Sequence, residues 1–114
     1  MVEAVKLVIA IPTKGRGGLG DVVDEVFARA AYFTIIEASE EGYRVREIIK
    51  NEFKDLTHGV GPIIVKILKD KDVGIIALPE AGVGVKQLLR ELGIQYIEVE
   101  AGTKVEDVLK VSST

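Results

Sequence analysis

The chain has 114 residues, 47% of them hydrophobic, which is the size of one domain with a core large enough to hold without cross-links, so 1–114 is read as a single domain. Its 18 acidic and 15 basic residues give a net charge of -3 and a pI of about 5.2, and their even spread argues against a nucleic-acid partner held by phosphate neutralisation. The absence of cysteine excludes disulfides, thiolate metal sites, a cysteine nucleophile and the usual all-cysteine ligation of iron–sulfur clusters, leaving His, carboxylates or a partner's groups for any metal.

Charged residues make up 29% of the chain while Met, Asn and Gln are scarce, a pattern of proteins from hot environments. The first apolar run, Ala4 to Ile11, is broken by Lys6 and stopped by Pro12. It is too short to span a membrane and lacks the cleavage pattern of a signal peptide, so the expected location is the cytoplasm, with no membrane partner. Its run of Val, Leu and Ile reads as a central strand covered on both faces.

The loop Pro12 to Gly20 follows, too rich in glycine for a helix or a strand. Asp21 is then expected to cap a short helix in which Val22, Val23, Val26, Phe27 and Ala30 share one face. Tyr32 to Ala38 and Tyr43 to Lys50, separated by the turn Ser39 to Gly42, read as an antiparallel hairpin in which Val45 and Ile49 alternate with Arg44, Arg46 and Lys50.

Thr57-His58-Gly59-Val60-Gly61-Pro62 contains the only histidine and opens a helix expected to run to about Lys71. Val73 to Leu78 is a buried strand, and Val85, Leu88, Leu89 and Leu92 form a helical stripe closed by Gly93 as a C-terminal cap. Ile94 to Glu100 is the last strand, and Thr103 with Glu106 makes a capping box for a final short helix.

This order gives a mixed α/β sheet of five strands, the hairpin making the second antiparallel and the helical crossovers making the others parallel, with helices on both faces. Loops leaving the carboxyl ends of the parallel strands gather on one edge, where open α/β sheets bind ligands. The turns at Gly15, His58, Gly82 and Gly102 are therefore expected to be neighbours.

Gly15-Arg16-Gly17-Gly18-Leu19-Gly20 has the G-x-G-x-x-G spacing that lets a backbone approach a pyrophosphate, and it supports a second reading, a nucleotide- or phosphate-binding enzyme. Against that reading, the predicted helix after it is short and a hairpin replaces the strand that would carry the ribose-binding acid. His58 is a candidate metal ligand or anion donor beside a helix start; the plain alternative is a turn histidine bonded to backbone.

Val8-Ile9-Ala10-Ile11-Pro12-Thr13 before a glycine loop, Phe27-Ala28-Arg29-Ala30, His58-Gly59-Val60-Gly61-Pro62 and the closing Ala101-Gly102-Thr103-Lys104-Val105-Glu106-Asp107 together resemble the dinitrogenase iron-molybdenum cofactor biosynthesis family over almost the whole chain. The resemblance implies a ribonuclease-H-like three-layer α/β/α fold with strand order 3-2-1-4-5 and strand 2 antiparallel. It also implies a nitrogenase accessory factor-like carrier or scaffold, not an enzyme, with an iron-sulfur or iron-molybdenum cluster as ligand and cluster-assembly proteins as partners; a homo-oligomer is left open. Where the family has His-Phe-Gly-Arg this chain has Val26-Phe27-Ala28-Arg29. Arg29, His58 and the backbone of the glycine turns carry over, so the candidate ligand-binding residues are Thr13, Gly15, Gly17, Arg29, His58, Gly59, Gly61, Gly82 and Gly102, with His58 the candidate metal ligand.

Overall fold

The computed structural model describes residues 6–112, so Ala4 and Val5 of the first apolar run lie outside the described residues. β1 (Leu7–Thr13), β2 (Tyr32–Ser39), β3 (Gly42–Lys50), β4 (Ile75–Leu78) and β5 (Gln95–Glu98) form one sheet in the order β3-β2-β1-β4-β5. β2 is antiparallel to both β1 and β3, while β4 is parallel to β1 and to β5. This is the expected order and orientation. The helices α1 (Val60–Asp70) and α2 (Val85–Glu91) cover one face, and α3 (Val105–Ser112) covers the other.

β1 does not stop at Pro12 but runs through it to Thr13. The ring removes no bond from the β4 ladder, because β4 pairs with β1 only at Ile9 and Ala10, and the Pro12 carbonyl accepts the Asp24 amide at 2.9 Å. The burial of every residue from Ile9 to Thr13 fits a strand covered on both sides.

The β2–β3 hairpin turns at Glu40-Glu41 between the paired Ser39 and Gly42. Ile35 pairs with Glu47 but Ile36 with Val45, so Arg46 is the extra residue of a bulge. One inserted residue exchanges the two faces, and the plain alternation read from the sequence fails there. Val45 packs against the core beneath α3, whereas Ile49 packs against the core beneath α1 and α2. Arg44, Arg46 and Lys50 along this edge strand place charge where an incoming strand would pair.

The largest departure from expectation is the segment 14–31, which contains no helix. Val22 and Val23 instead make isolated bridges to Lys104 and Thr13, and Val26 makes one to Glu80. The spacing of Val23 and Phe27 imitates a helical stripe, but the two side chains enter different cores. Val23 joins Ile9, Ile11 and Val105 on the α3 side, and Phe27 joins Phe33, Ile64 and Leu89 on the other. The segment is a strap that wraps the carboxyl edge of the sheet from face to face.

Asp21, expected as a helix cap, holds the strap in shape. Its carboxylate accepts the amides of Gly15 at 3.0 Å, Gly17 at 2.7 Å and Val22 at 2.7 Å. Its carbonyl takes the first amide of α3, Val105, at 2.9 Å, and Leu19 takes the next, Glu106, at 3.4 Å. These two donors are therefore satisfied by strap carbonyls rather than by the capping box expected at Thr103. Asp21→Ala should lower stability by about 1–2 kcal/mol, the low end for charged hydrogen bonds because Asp21 is only half-buried and its bonds to Gly15 are exposed. Urea titration followed by circular dichroism checks it, and the native helical signal should not change, since no helix follows Asp21.

Candidate functional site

β1, β4 and β5 all end on the same edge, and the strap, residues 51–59, 79–84 and 99–104 all leave from it. The strap ties these segments together. Val23 donates to the Thr103 carbonyl and accepts from the Gly102 amide, both at 2.8 Å, and the Phe27 amide donates to the Glu80 carbonyl at 2.8 Å. That last bond, with the Val26–Glu80 bridge, closes the crevice between β1 and β4 where a doubly wound sheet would place a nucleotide.

The strap also sorts the candidate residues into two groups. On the α3 side stand Thr13, Gly15, Gly17 and Gly102. Thr13 is fully buried, its hydroxyl 3.1 Å from that of Thr34, which accepts the Gly18 amide at 3.2 Å. Gly17 has φ +89°, and a methyl there would come within 2.8 Å of both Ile48 Cγ2 and Thr34 Oγ1. Its glycine is thus required by packing over the hairpin. The amides of Gly15 and Gly17 that a pyrophosphate would need already donate to Asp21, no helix directly follows the loop in the chain, and the first two amides of α3, which do meet it, are taken by the Asp21 and Leu19 carbonyls. The geometry therefore does not supply the phosphate cradle on which the nucleotide reading rests.

On the other side stand Arg29, His58, Gly59, Gly61 and Gly82. His58 and Gly59 are exposed. α1 starts from Gly59 in the left-handed conformation, φ 76°, with no side-chain cap and no acid in its first turn. Pro62 sits in that turn, where a missing N–H costs nothing. Gly61 faces α2 closely enough that a Cβ would lie 3.2 Å from Val85 Cγ2, which brings the 82–84 glycine turn beside the start of α1. Arg29 is exposed, and its Nη1 donates to the carbonyls of Lys54 at 2.6 Å and Leu56 at 3.0 Å. Asn51, buried at 3% exposure, donates to Ala28 and Ala30 carbonyls at 2.9 Å each and accepts the Phe53 amide at 3.0 Å. Sequence reading passed over Asn51; an Asn directly after a strand and before a polar turn is the signal that could have found it.

A cavity of about 350 Å³ lies nearby at the ends of β4 and β5, lined by Pro79, Glu80, Ala81, Lys86, Glu98 and Val99. Lys86 Nζ is 2.5 Å from Glu98 Oε1 and 5.8 Å from the centre of the Tyr96 ring. The hydrogen bond between them holds the Glu98 carboxyl below its ordinary range and the Lys86 ammonium above it. This cation is already neutralised, and with Glu80 beside it the cavity does not favour an anion.

The donor set does not fit a cluster ligated by several protein side chains. The sequence has no cysteine and one histidine, and among the described residues no group of three His, Asp or Glu could hold a metal ion. Among the described residues no helix is long and apolar enough to cross a membrane.

A three-layer α/β sheet whose loops converge on its carboxyl edge is the class that the fold and the edge define. The family described as dinitrogenase iron-molybdenum cofactor matches residues 5–113, and the chain belongs to it. Two solved structures share the architecture. A NifB-like protein from Thermotoga is 29% identical, with a TM-score of 0.74 over 94% of this chain and 87% of that one. The apo form of the orange protein from Desulfovibrio gigas is 25% identical, with a TM-score of 0.79 over 93% of this chain and 86% of that one. Among curated proteins none matches.

Proposed function

We propose that the protein is a small, non-enzymatic carrier that holds an anionic ligand beside His58, on the α1 and α2 side of the carboxyl edge. The observation that carries this reading is the start of α1: a glycine N-cap, no side-chain cap and no acid in the first turn, next to an exposed imidazole. Such an end leaves amide donors and a partial positive charge directed at whatever binds there. His58 adds one directed donor or ligand, and Gly59 and Gly61 keep the backbone open.

The family supports a ligand related to the iron-molybdenum cofactor, and the apo description of the orange protein supports ligand binding on this fold. Without cysteine, a metal-sulfur cluster carried here is cargo, held by hydrogen bonds to its sulfides and by at most His58 as a direct ligand, and passed to cluster-assembly partners.

Anaerobic incubation with iron, sulfide and molybdate, followed by absorption spectra and metal analysis, tests the reading. Colour and metal should be retained by the native protein. His58→Ala should weaken retention by about tenfold or more, the loss of one charged hydrogen bond, while stability changes by less than about 1 kcal/mol, as for an exposed residue. A protein that stays colourless and metal-free, alone and with assembly partners, would sink the cluster form of the proposal.

A further inference from the structure

We infer that Arg29 is a positioning residue for His58, holding the 51–59 segment in place rather than meeting the ligand itself; the inference rests on the reading of His58 as part of the site. Two anchors bracket the histidine. On its amino side, Arg29 Nη1 bridges the carbonyls of Lys54 and Leu56 at 2.6 and 3.0 Å. On its carboxyl side, Gly59 is the N-cap of α1, and its carbonyl accepts the Ile63 amide at 3.4 Å. Between Leu56 and the helix lie only Thr57, His58 and Gly59. All three are exposed, so burial does not hold them, and the order of the segment depends on its two ends.

Arg29 can serve as an anchor because its own backbone is fixed. The flanking Ala28 and Ala30 are buried in the core, and their carbonyls are both bound by the Asn51 side chain. A planar guanidinium suits the task, since one nitrogen carries two hydrogens that diverge toward two carbonyls. Lysine keeps the charge, but its ammonium ends one bond short of the Nη1 position. The lysine variant therefore separates reach from charge.

The strap thus does more than close the edge. It passes between the cores and, through one side chain, sets where the only histidine stands. A ligand that needs His58 in place meets a segment already ordered, so it does not have to order that segment on binding.

The test uses backbone heteronuclear NOE measurements on the whole protein at Thr57, His58 and Gly59, a readout of fast backbone motion that requires no ligand. Arg29→Ala should lower these values toward those of a mobile loop while β1 and α2 stay rigid, and Arg29→Lys should fall between. Molybdate affinity, measured in parallel, should drop about tenfold in Arg29→Ala, the size expected for reordering about one residue of backbone. Should Arg29→Ala fail to fold, Arg29→Lys carries the same readout at smaller amplitude. Unchanged NOE values in both variants overturn the inference, and so does full binding by Arg29→Lys with the loop still ordered in Arg29→Ala, which would make Arg29 a simple charge. If instead His58→Ala binds molybdate as the native protein does, the reading of the site fails while the loop-order result stands on its own.

Discussion

Replacing Phe27 by alanine should destabilise the protein by about 3–5 kcal/mol, the usual cost of emptying a buried aromatic site. Phe27 has no solvent exposure and meets Phe33 edge-to-face, with ring centres 5.8 Å apart at 68°. It is also the point at which the strap enters the core beneath α1 and α2, and its amide is tied to Glu80. Deleting the ring therefore leaves a cavity and frees the middle of a segment that has no helix or ladder to hold it. Against a total stability of about 5–15 kcal/mol for a domain, the loss is a large fraction. Denaturant unfolding should show a lower midpoint, and hydrogen exchange should show the Phe27 amide losing protection before the strands do. Phe27→Leu, which keeps most of the volume, should recover much of the difference. An alanine variant within about 1 kcal/mol of the native protein would mean that the strap is held by its backbone bonds alone.

The same residue marks where the sequence stops being legible. Strands could be read because short buried runs such as the apolar Ile9 to Ile11 and the β-branched Thr34 to Ile36 satisfy one rule locally, and the buried helical face of Val60, Ile64 and Leu68 satisfies another. Strand order 3-2-1-4-5 came from the family resemblance, and the sheet agrees with it. The strap escaped because periodicity assumes that apolar residues on one helical stripe face one core. Val23 and Phe27 face two, and nothing in their spacing records it. The bulge at Arg46 was hidden for a related reason: alternation looks continuous in the sequence, while pairing with β2 skips a residue.

At the carboxyl edge, the positions of the turns were legible and their partners were not. Each glycine turn follows a strand, so topology alone brings them to one edge. What Asp21, Thr34, Asn51 and Arg29 do there depends on contacts across 4 to 27 positions of sequence, which no local pattern encodes. Gly15 and Gly17 show the consequence. Their spacing suits a pyrophosphate, yet the anion that meets their amides is the carboxylate of Asp21 in the same chain.

Asn51→Ala should cost about 2–4 kcal/mol, because truncation of a buried amide leaves its former partners without replacements. The carbonyls of Ala28 and Ala30 and the amide of Phe53 would lose their bonds together. Ala28 and Ala30 flank Arg29, so the anchor of the His58 segment loosens as well, and molybdate retention should fall with stability. Asn51→Asp separates the two donor bonds from the acceptor bond. A carboxylate still accepts the Phe53 amide but points negative charge at two carbonyls, so this variant should be less stable than Asn51→Ala at neutral pH. Burial and the facing carbonyls raise the folded-state pKa of that aspartate above its unfolded value. Its relative stability is therefore greatest below the unfolded pKa and is lost as pH rises through the folded one, so acidification should narrow the gap to the native protein. Unfolding midpoints of the three proteins across mildly acidic to neutral pH check this, and a gap between Asn51→Asp and native protein that does not shrink on acidification would show that the carboxylate does not face those carbonyls.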